Sequence, residues 1–261
     1  MSAATHPVAG RLESLVGGDA KLLATVMGLP LVDGIFPALV LAGALDGPLD
    51  IVQVGLLVFG GSATVAVVLA EMEGSHREIV TTVAAVGVGL VALATVEATL
   101  APTIESVLDI HTFERAAALV VLAVAAKTAS ARVGEYLPRP AVVVGLGLLV
   151  SLDLSNPQLE VVLDPQLVAA AAAAAAVGAG FALGIAVAGP HLRRRMDVDR
   201  FRFGSAVALG LLALSILGLE VGTAPLAVVG VAALFALEPG CADDRPDQSA
   251  GDSTPHADAA D

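Results

Sequence analysis

Asp33 is the residue whose chemistry stands out first, because it is the only charged residue in a predominantly apolar run of the sequence from residue 22 to residue 45. It lies within the motif Pro30-Leu-Val-Asp33-Gly34-Ile-Phe-Pro37. A carboxylate near the centre of a membrane span costs about 2.5–3.5 kcal/mol on insertion scales. A charge at this position therefore indicates either a functional site or a special local structure.

The residues around Asp33 predict an interruption of the helix that carries it. Pro30 and Pro37 lack a backbone N–H, and Gly34 adopts non-helical conformations easily. A broken helix leaves backbone carbonyls unpaired, which is tolerated in a membrane only inside the protein or beside water. We therefore expect a break between Leu29 and Pro37, with Asp33 facing the protein interior.

Candidate partners for Asp33 come from the second apolar segment, where Ser62 and Thr64 are predicted to lie at the same depth. Their hydroxyl groups could share a proton or a desolvated cation with the carboxylate. No basic residue is predicted at this depth. The alternative interpretation is a structural acid, protonated or hydrogen-bonded, that caps a broken helix.

The composition predicts that the elements positioning Asp33 are membrane helices. Of the 261 residues, 56% are hydrophobic and 15% are charged, and the mean hydropathy is +0.85. These values are typical of an all-α, polytopic membrane bundle. The predicted organisation is a lead at 1–21, a transmembrane bundle at 22–238 and a disordered acidic tail at 239–261. The predicted spans are 22–45, 49–70, 79–100, 112–128, 140–153, 163–189, 201–219 and 224–238.

The distribution of basic residues predicts the orientation of these eight spans. If the N-terminus is cytoplasmic, twelve of the thirteen basic residues lie on the cytoplasmic side and only Arg115 lies outside. Because Lys and Arg concentrate in cytoplasmic loops, we predict a multi-pass protein of the cell membrane with both termini in the cytoplasm.

The excess of acidic over basic residues indicates that the protein comes from a cell with a high internal salt concentration. The chain has 26 acidic against 13 basic residues, and acidic surfaces are well screened where the Debye length falls to about 3 Å, as at 1 M salt. In this composition the chain resembles uncharacterised multi-pass membrane protein families of haloarchaea. The resemblance implies a compartment and no activity.

A weak internal repeat is visible in the spacing of aspartates and prolines. Asp19, Asp109 and Asp197 precede predicted spans, and Pro48, Pro140 and Pro225 begin later ones. Units of three spans would be inverted relative to one another, as in many secondary transporters. This arrangement is similar to that of lysine-exporter-type transporters, without their signature motifs. The alternative is that Asp and Pro simply mark span boundaries.

The sixth span carries a ladder of small residues with a spacing of four. Such a groove allows another helix backbone to approach closely. We therefore predict that the ladder packs against several helices of the bundle. The alternative is that the same ladder forms the contact between two copies of the protein in a homo-oligomer. The residues of the ladder are Ala172, Ala176, Gly180, Gly184 and Ala188.

Other polar residues give weaker signals. Glu97 and Gln53 are predicted near the ends of their spans. An outer acidic cluster at residues 105–114 could bind a divalent cation, although a solvated loop explains it equally simply. The single cysteine excludes a cysteine-cluster metal site.

The sequence contains no motif that would indicate an enzyme or a nucleic-acid-binding protein. It has no zinc-protease or serine-hydrolase signature and no second acid to pair with Asp33. With one Tyr, no Trp and no basic face, it lacks the features of a nucleic-acid-binding protein. The sequence therefore predicts no enzyme and no cofactor.

Two hypotheses of different classes remain. The first is a proton- or cation-coupled transporter of a small solute or ion, using Asp33. The second is a non-transporting scaffold or assembly partner in the lipid bilayer, using the ladder of the sixth span.

Overall fold

The computed structural model describes residues 18–60, 65, 69, 72, 74–130, 135–153, 163–192 and 198–236. The all-α class predicted from the sequence is confirmed for these residues. The helices are α1 (Gly18–Val32), α2 (Ile35–Leu41), α3 (Pro48–Val54), which continues as a π-helical segment (Gly55–Gly60), α4 (His76–Glu105), α5 (Ile110–Ala129), α6 (Pro140–Ser151), α7 (Pro165–Leu192), α8 (Val198–Ile216) and α9 (Ala224–Ala236).

Three helical segments are long and apolar enough to cross a membrane: Ala20–Leu41, His76–Glu105 and Pro165–Ala188. The segments Pro48–Gly60, Pro140–Ser151 and Ala224–Ala236 are apolar but shorter. Since a span needs about 20 apolar residues, these lengths are consistent with a membrane bundle. The full set of eight crossings stays a prediction.

Helix starts follow local capping chemistry. The hydroxyl of Ser75 accepts a hydrogen bond from the Glu78 N–H at 3.3 Å, and the Glu78 carboxylate accepts one from the Ser75 N–H at 2.9 Å. This reciprocal capping box fixes the start of α4. The side chain of Asp109 likewise accepts a hydrogen bond from the Thr112 N–H at the start of α5, and proline is the first residue of α3 and of α6.

Glycines allow α7 to approach its neighbours closely at the centre of the bundle. The helix packs against α4 and the π-helical segment. A Cβ at Gly87 would lie 2.8 Å from the Cβ of Ala179, and one at Gly178 would overlap the Cβ of Phe59. Packing by small residues is the usual means of helix association in a bilayer.

The face of α7 that makes these contacts is not the predicted ladder. Between Pro165 and Ala188, the buried residues of α7 are Ala171, Ala174, Ala175, Gly178, Ala182 and Ala186. By contrast, Ala176, Gly180 and Gly184 are exposed, and Ala172 and Ala188 are half-buried. The prediction that the ladder packs inside the bundle is therefore wrong.

The described residues form no strand, and their only extended contact is an isolated bridge between Leu108 and Leu152. There the Asp109 N–H donates to the Ser151 carbonyl at 2.6 Å, and the Asp153 N–H donates to the Val107 carbonyl at 3.0 Å. These bonds join the α4–α5 connection to the end of α6. They stabilise the end of the molecule at which α6 ends, which is opposite to the end at which α6 begins at Pro140.

Candidate functional site

The first span is interrupted at Asp33 and Gly34, between α1 and α2. Gly34 has φ of +75°, a left-handed conformation that glycine adopts readily. The Asp33 N–H still donates to the Leu29 carbonyl at 2.8 Å, whereas the Gly34 N–H turns to the Leu31 carbonyl at 3.0 Å. A regular helix resumes at Ile35.

The three predicted break residues contribute unequally. Pro30 lies inside α1 and does not end it. Pro37 lies in the first turn of α2, where its missing N–H removes the donor that a continuous helix would direct to the Asp33 carbonyl. Gly34 supplies the left-handed turn and lies against Val144 of α6, whose Cγ1 is 3.1 Å from where a Cβ of Gly34 would be.

A cavity of about 350 Å³ adjoins this break. Such a volume is at the lower end of the range for small-molecule sites. Residues of α1, α2, the π-helical segment, α5, α6 and α8 form its wall. The described part of the wall is apolar except for four side chains: Asp33, Lys127, Thr128 and Arg202.

Among the described residues, the cavity carries one acidic and two basic side chains. Asp33 is half-buried, and its carboxylate makes no hydrogen bond or ion pair with another residue in the part of the chain that the structure describes. Lys127 and Arg202 are exposed to solvent at the same cavity. The ends of α5 and α8 bring these two bases to the cavity beside the break, while the prediction that no basic residue lies at the depth of Asp33 stays a prediction.

The helix registers show how these charges are arranged. Gly34 lies beside Val144, which is four residues, or about 6 Å of helix, inside the Pro140 end of α6. Lys127 is in the last turn of α5 and Arg202 in the second turn of α8. The exposed basic residues therefore lie near helix ends, at what we call the mouth of the cavity, and Gly34, next to Asp33, lies about one helical turn inside the Pro140 end of α6.

Thr128 adds a hydroxyl group to the wall. Its O–H donates to the Val124 carbonyl at 2.8 Å, so its oxygen remains able to accept a hydrogen bond from a bound molecule. Sequence reasoning missed Thr128, Lys127 and Arg202 as site residues, because the two bases appeared only as markers of orientation. The predicted partners Ser62 and Thr64 lie outside the described residues.

The remaining predicted polar residues lie away from this cavity. Gln53 is buried against other residues of the protein, with 4% of its surface exposed, and lies five residues after the start of α3 at Pro48. In the outer cluster, Asp109 caps α5, and His111 lies 3.5 Å from Glu114. Among the described residues, no group of His, Cys, Asp or Glu is arranged to hold a metal ion.

Glu97 of α4 has one carboxyl oxygen that is buried and has no hydrogen-bond partner among the described residues. An unsatisfied buried polar group costs about 1–3 kcal/mol. We expect Glu97→Leu to raise the thermal unfolding midpoint of the detergent-solubilised protein by relieving part of this cost. Glu105→Leu, at an exposed position of the same helix, is the control and should leave the midpoint nearly unchanged. A lower midpoint for Glu97→Leu would show that the carboxyl is satisfied in the membrane.

Comparison with known proteins gives a family match for part of the chain. Residues 90–217 match the profile of a "Family of unknown function (DUF5794)". The matched segment includes Lys127, Thr128 and Arg202 and ends before α9, and it does not reach Asp33. No curated protein and no solved structure matches the chain.

Proposed function

We propose that the protein is a membrane transporter that binds a small solute in the cavity beside the broken first helix. The observation that carries this proposal is the presence of Asp33, with no side-chain partner among the described residues, in the same cavity as Lys127 and Arg202. Ionisable groups within membrane segments usually mark a substrate or ion pathway. Interrupted helices are likewise the elements from which many transporter sites are built.

The proposed architecture is a bundle of eight crossings with both termini in the cytoplasm, arranged as inverted three-helix units. In this orientation Lys127, Pro140 and Arg202 all lie at the cytoplasmic ends of their helices. The cavity then opens toward the cytoplasm, and Asp33 lies at its inner part. Asp33 is the group that would exchange a proton as the solute binds or leaves.

Thiol labelling tests whether the cavity is a water-filled, positively charged pathway. Cys241 is the only cysteine and would be replaced by serine before Val124→Cys is introduced into the cavity wall. In inside-out vesicles we expect a negatively charged methanethiosulfonate to react with this thiol at least several-fold faster than a positively charged one. The physical reason is the excess of basic over acidic side chains among the described residues that line the cavity.

Leu122→Cys is the matched control for this labelling, because Leu122 is an exposed residue of the same helix that does not line the cavity. In the proposed bundle it faces lipid and should react with neither reagent. If Val124→Cys is equally unreactive in inside-out and right-side-out vesicles, the cavity is not a solute pathway and the proposal fails.

A non-transporting assembly partner is the second candidate function. The observation that favours it is the exposure of Ala176, Gly180 and Gly184, because exposed small residues on a membrane helix provide a contact face for another helix. The two candidates differ in the role of Asp33, which the assembly function does not need.

A further inference from the structure

We infer that the solute is a small aliphatic zwitterion whose ammonium group binds at Asp33 and whose carboxylate binds between Lys127 and Arg202. This inference rests on the proposed function and names its substrate class. It follows from the signs, the depths and the apolar surroundings of the charged groups in one cavity.

The signs of the charges argue against a simple cation or a simple anion. A cation alone would be held by Asp33 but repelled by two bases at the mouth. An anion alone would be attracted by Lys127 and Arg202 but would leave Asp33 without an oppositely charged partner whenever this carboxyl is ionised. A zwitterion satisfies both charges, because each of its ends faces a group of the opposite sign.

The depth of Asp33 inside the Pro140 end of α6 leaves an interval for one small molecule. Asp33 makes no ion pair with a described residue, and it lies about 6 Å deeper along the helix axes than the Pro140 end of α6. A short zwitterion can occupy this interval with its ammonium inward and its carboxylate outward.

The apolar wall defines the rest of the molecule. Val26, Leu29, Ile35, Leu57 and Val58 contribute only aliphatic surface, and none of the described lining residues is aromatic. The cavity volume of about 350 Å³ is large enough to hold a branched aliphatic side chain together with the two charged ends of the molecule. Leucine is therefore a suitable probe of this class.

Equilibrium binding of three matched probes tests the inference. The full-length protein in phosphatidylglycerol nanodiscs, which contain no zwitterionic lipid, is titrated with leucine, with 4-methylpentanoate and with 3-methylbutylamine. The second probe lacks the ammonium group of leucine, and the third lacks its carboxylate. We expect leucine to bind at least tenfold more tightly than either analogue.

Substitutions assign each end of the probe. Asp33→Asn should reduce the preference for leucine over 4-methylpentanoate at least fivefold, and Lys127→Gln should reduce the preference over 3-methylbutylamine by a similar factor. Arg139→Gln is the control, because Arg139 lies at the same end of the bundle and does not line the cavity. It should change neither preference.

The outcomes separate this inference from the proposed function. If 4-methylpentanoate or 3-methylbutylamine binds as tightly as leucine, the zwitterion inference is overturned while a solute-binding cavity stands. If none of the three probes binds, the inference is also overturned, and the proposed function then depends on the labelling of Val124→Cys.

Discussion

Replacing Asp33 by asparagine is expected to reduce solute flux at least tenfold while leaving the fold intact. Asparagine keeps the size of the side chain, so the break at Gly34 should persist. It removes the charge that faces the cavity and the ability to exchange a proton. The measurement is uptake of radiolabelled leucine and its two analogues into proteoliposomes with an imposed proton gradient.

The control for this experiment is Asp46→Asn, because Asp46 is exposed in the connection between α2 and α3 and lies outside the cavity. Its flux should equal that of the unaltered protein. If the unaltered protein transports a probe and Asp33→Asn transports it equally well, Asp33 is a structural residue of the broken helix. Absence of flux from both proteins, together with an unreactive Val124→Cys, would favour the assembly function.

The helices could be predicted closely from the sequence, because their signals are local. Apolar segments of the sequence end at clusters of charged residues, proline and glycine. The segment predicted at 112–128 accordingly corresponds to α5 at Ile110–Ala129, and the segment predicted at 140–153 corresponds to α6 at Pro140–Ser151. The break in the first span was equally readable, since Gly34 and Pro37 act on their own backbone.

The cavity could not be predicted in the same way, because it depends on which helix ends meet in space. Asp33, Lys127 and Arg202 are far apart in the chain, and no periodic pattern connects them. Each base had a sufficient local explanation as a cytoplasmic residue near the end of a span. Only the packing of α5 and α8 beside the break brings them to one cavity with the carboxylate.

The contact face of α7 was assigned wrongly for a related reason. Small residues fill almost every position from Ala169 to Gly180, so every face of this helix permits close approach. The sequence offered a regular ladder, but the choice of face is made by the neighbours. Phe59 and Gly55 of the adjoining segment fit over Gly178, which lies on a different face.

Substitution of Gly178 by alanine or valine is therefore expected to destabilise the protein, whereas alanine at Gly180 should not. A Cβ at Gly178 would overlap Phe59 and would lie 2.9 Å from the Gly55 carbonyl oxygen, which belongs to the backbone and cannot move aside alone. Overpacking of this kind costs about 1–3 kcal/mol for an added methyl or methylene group, and valine adds more.

Gly180 and Gly184 are the matched controls, because they are glycines of the same helix with no atom within 4 Å of where a Cβ would lie. The measurement is the thermal midpoint of each detergent-solubilised variant, together with the fraction that elutes as a single species. Gly178→Val should lower both values most, and Gly180→Ala should match the unaltered protein. The reverse order would place the ladder inside the bundle, as the spacing of small residues alone suggests, and would remove the exposed face that the assembly function requires.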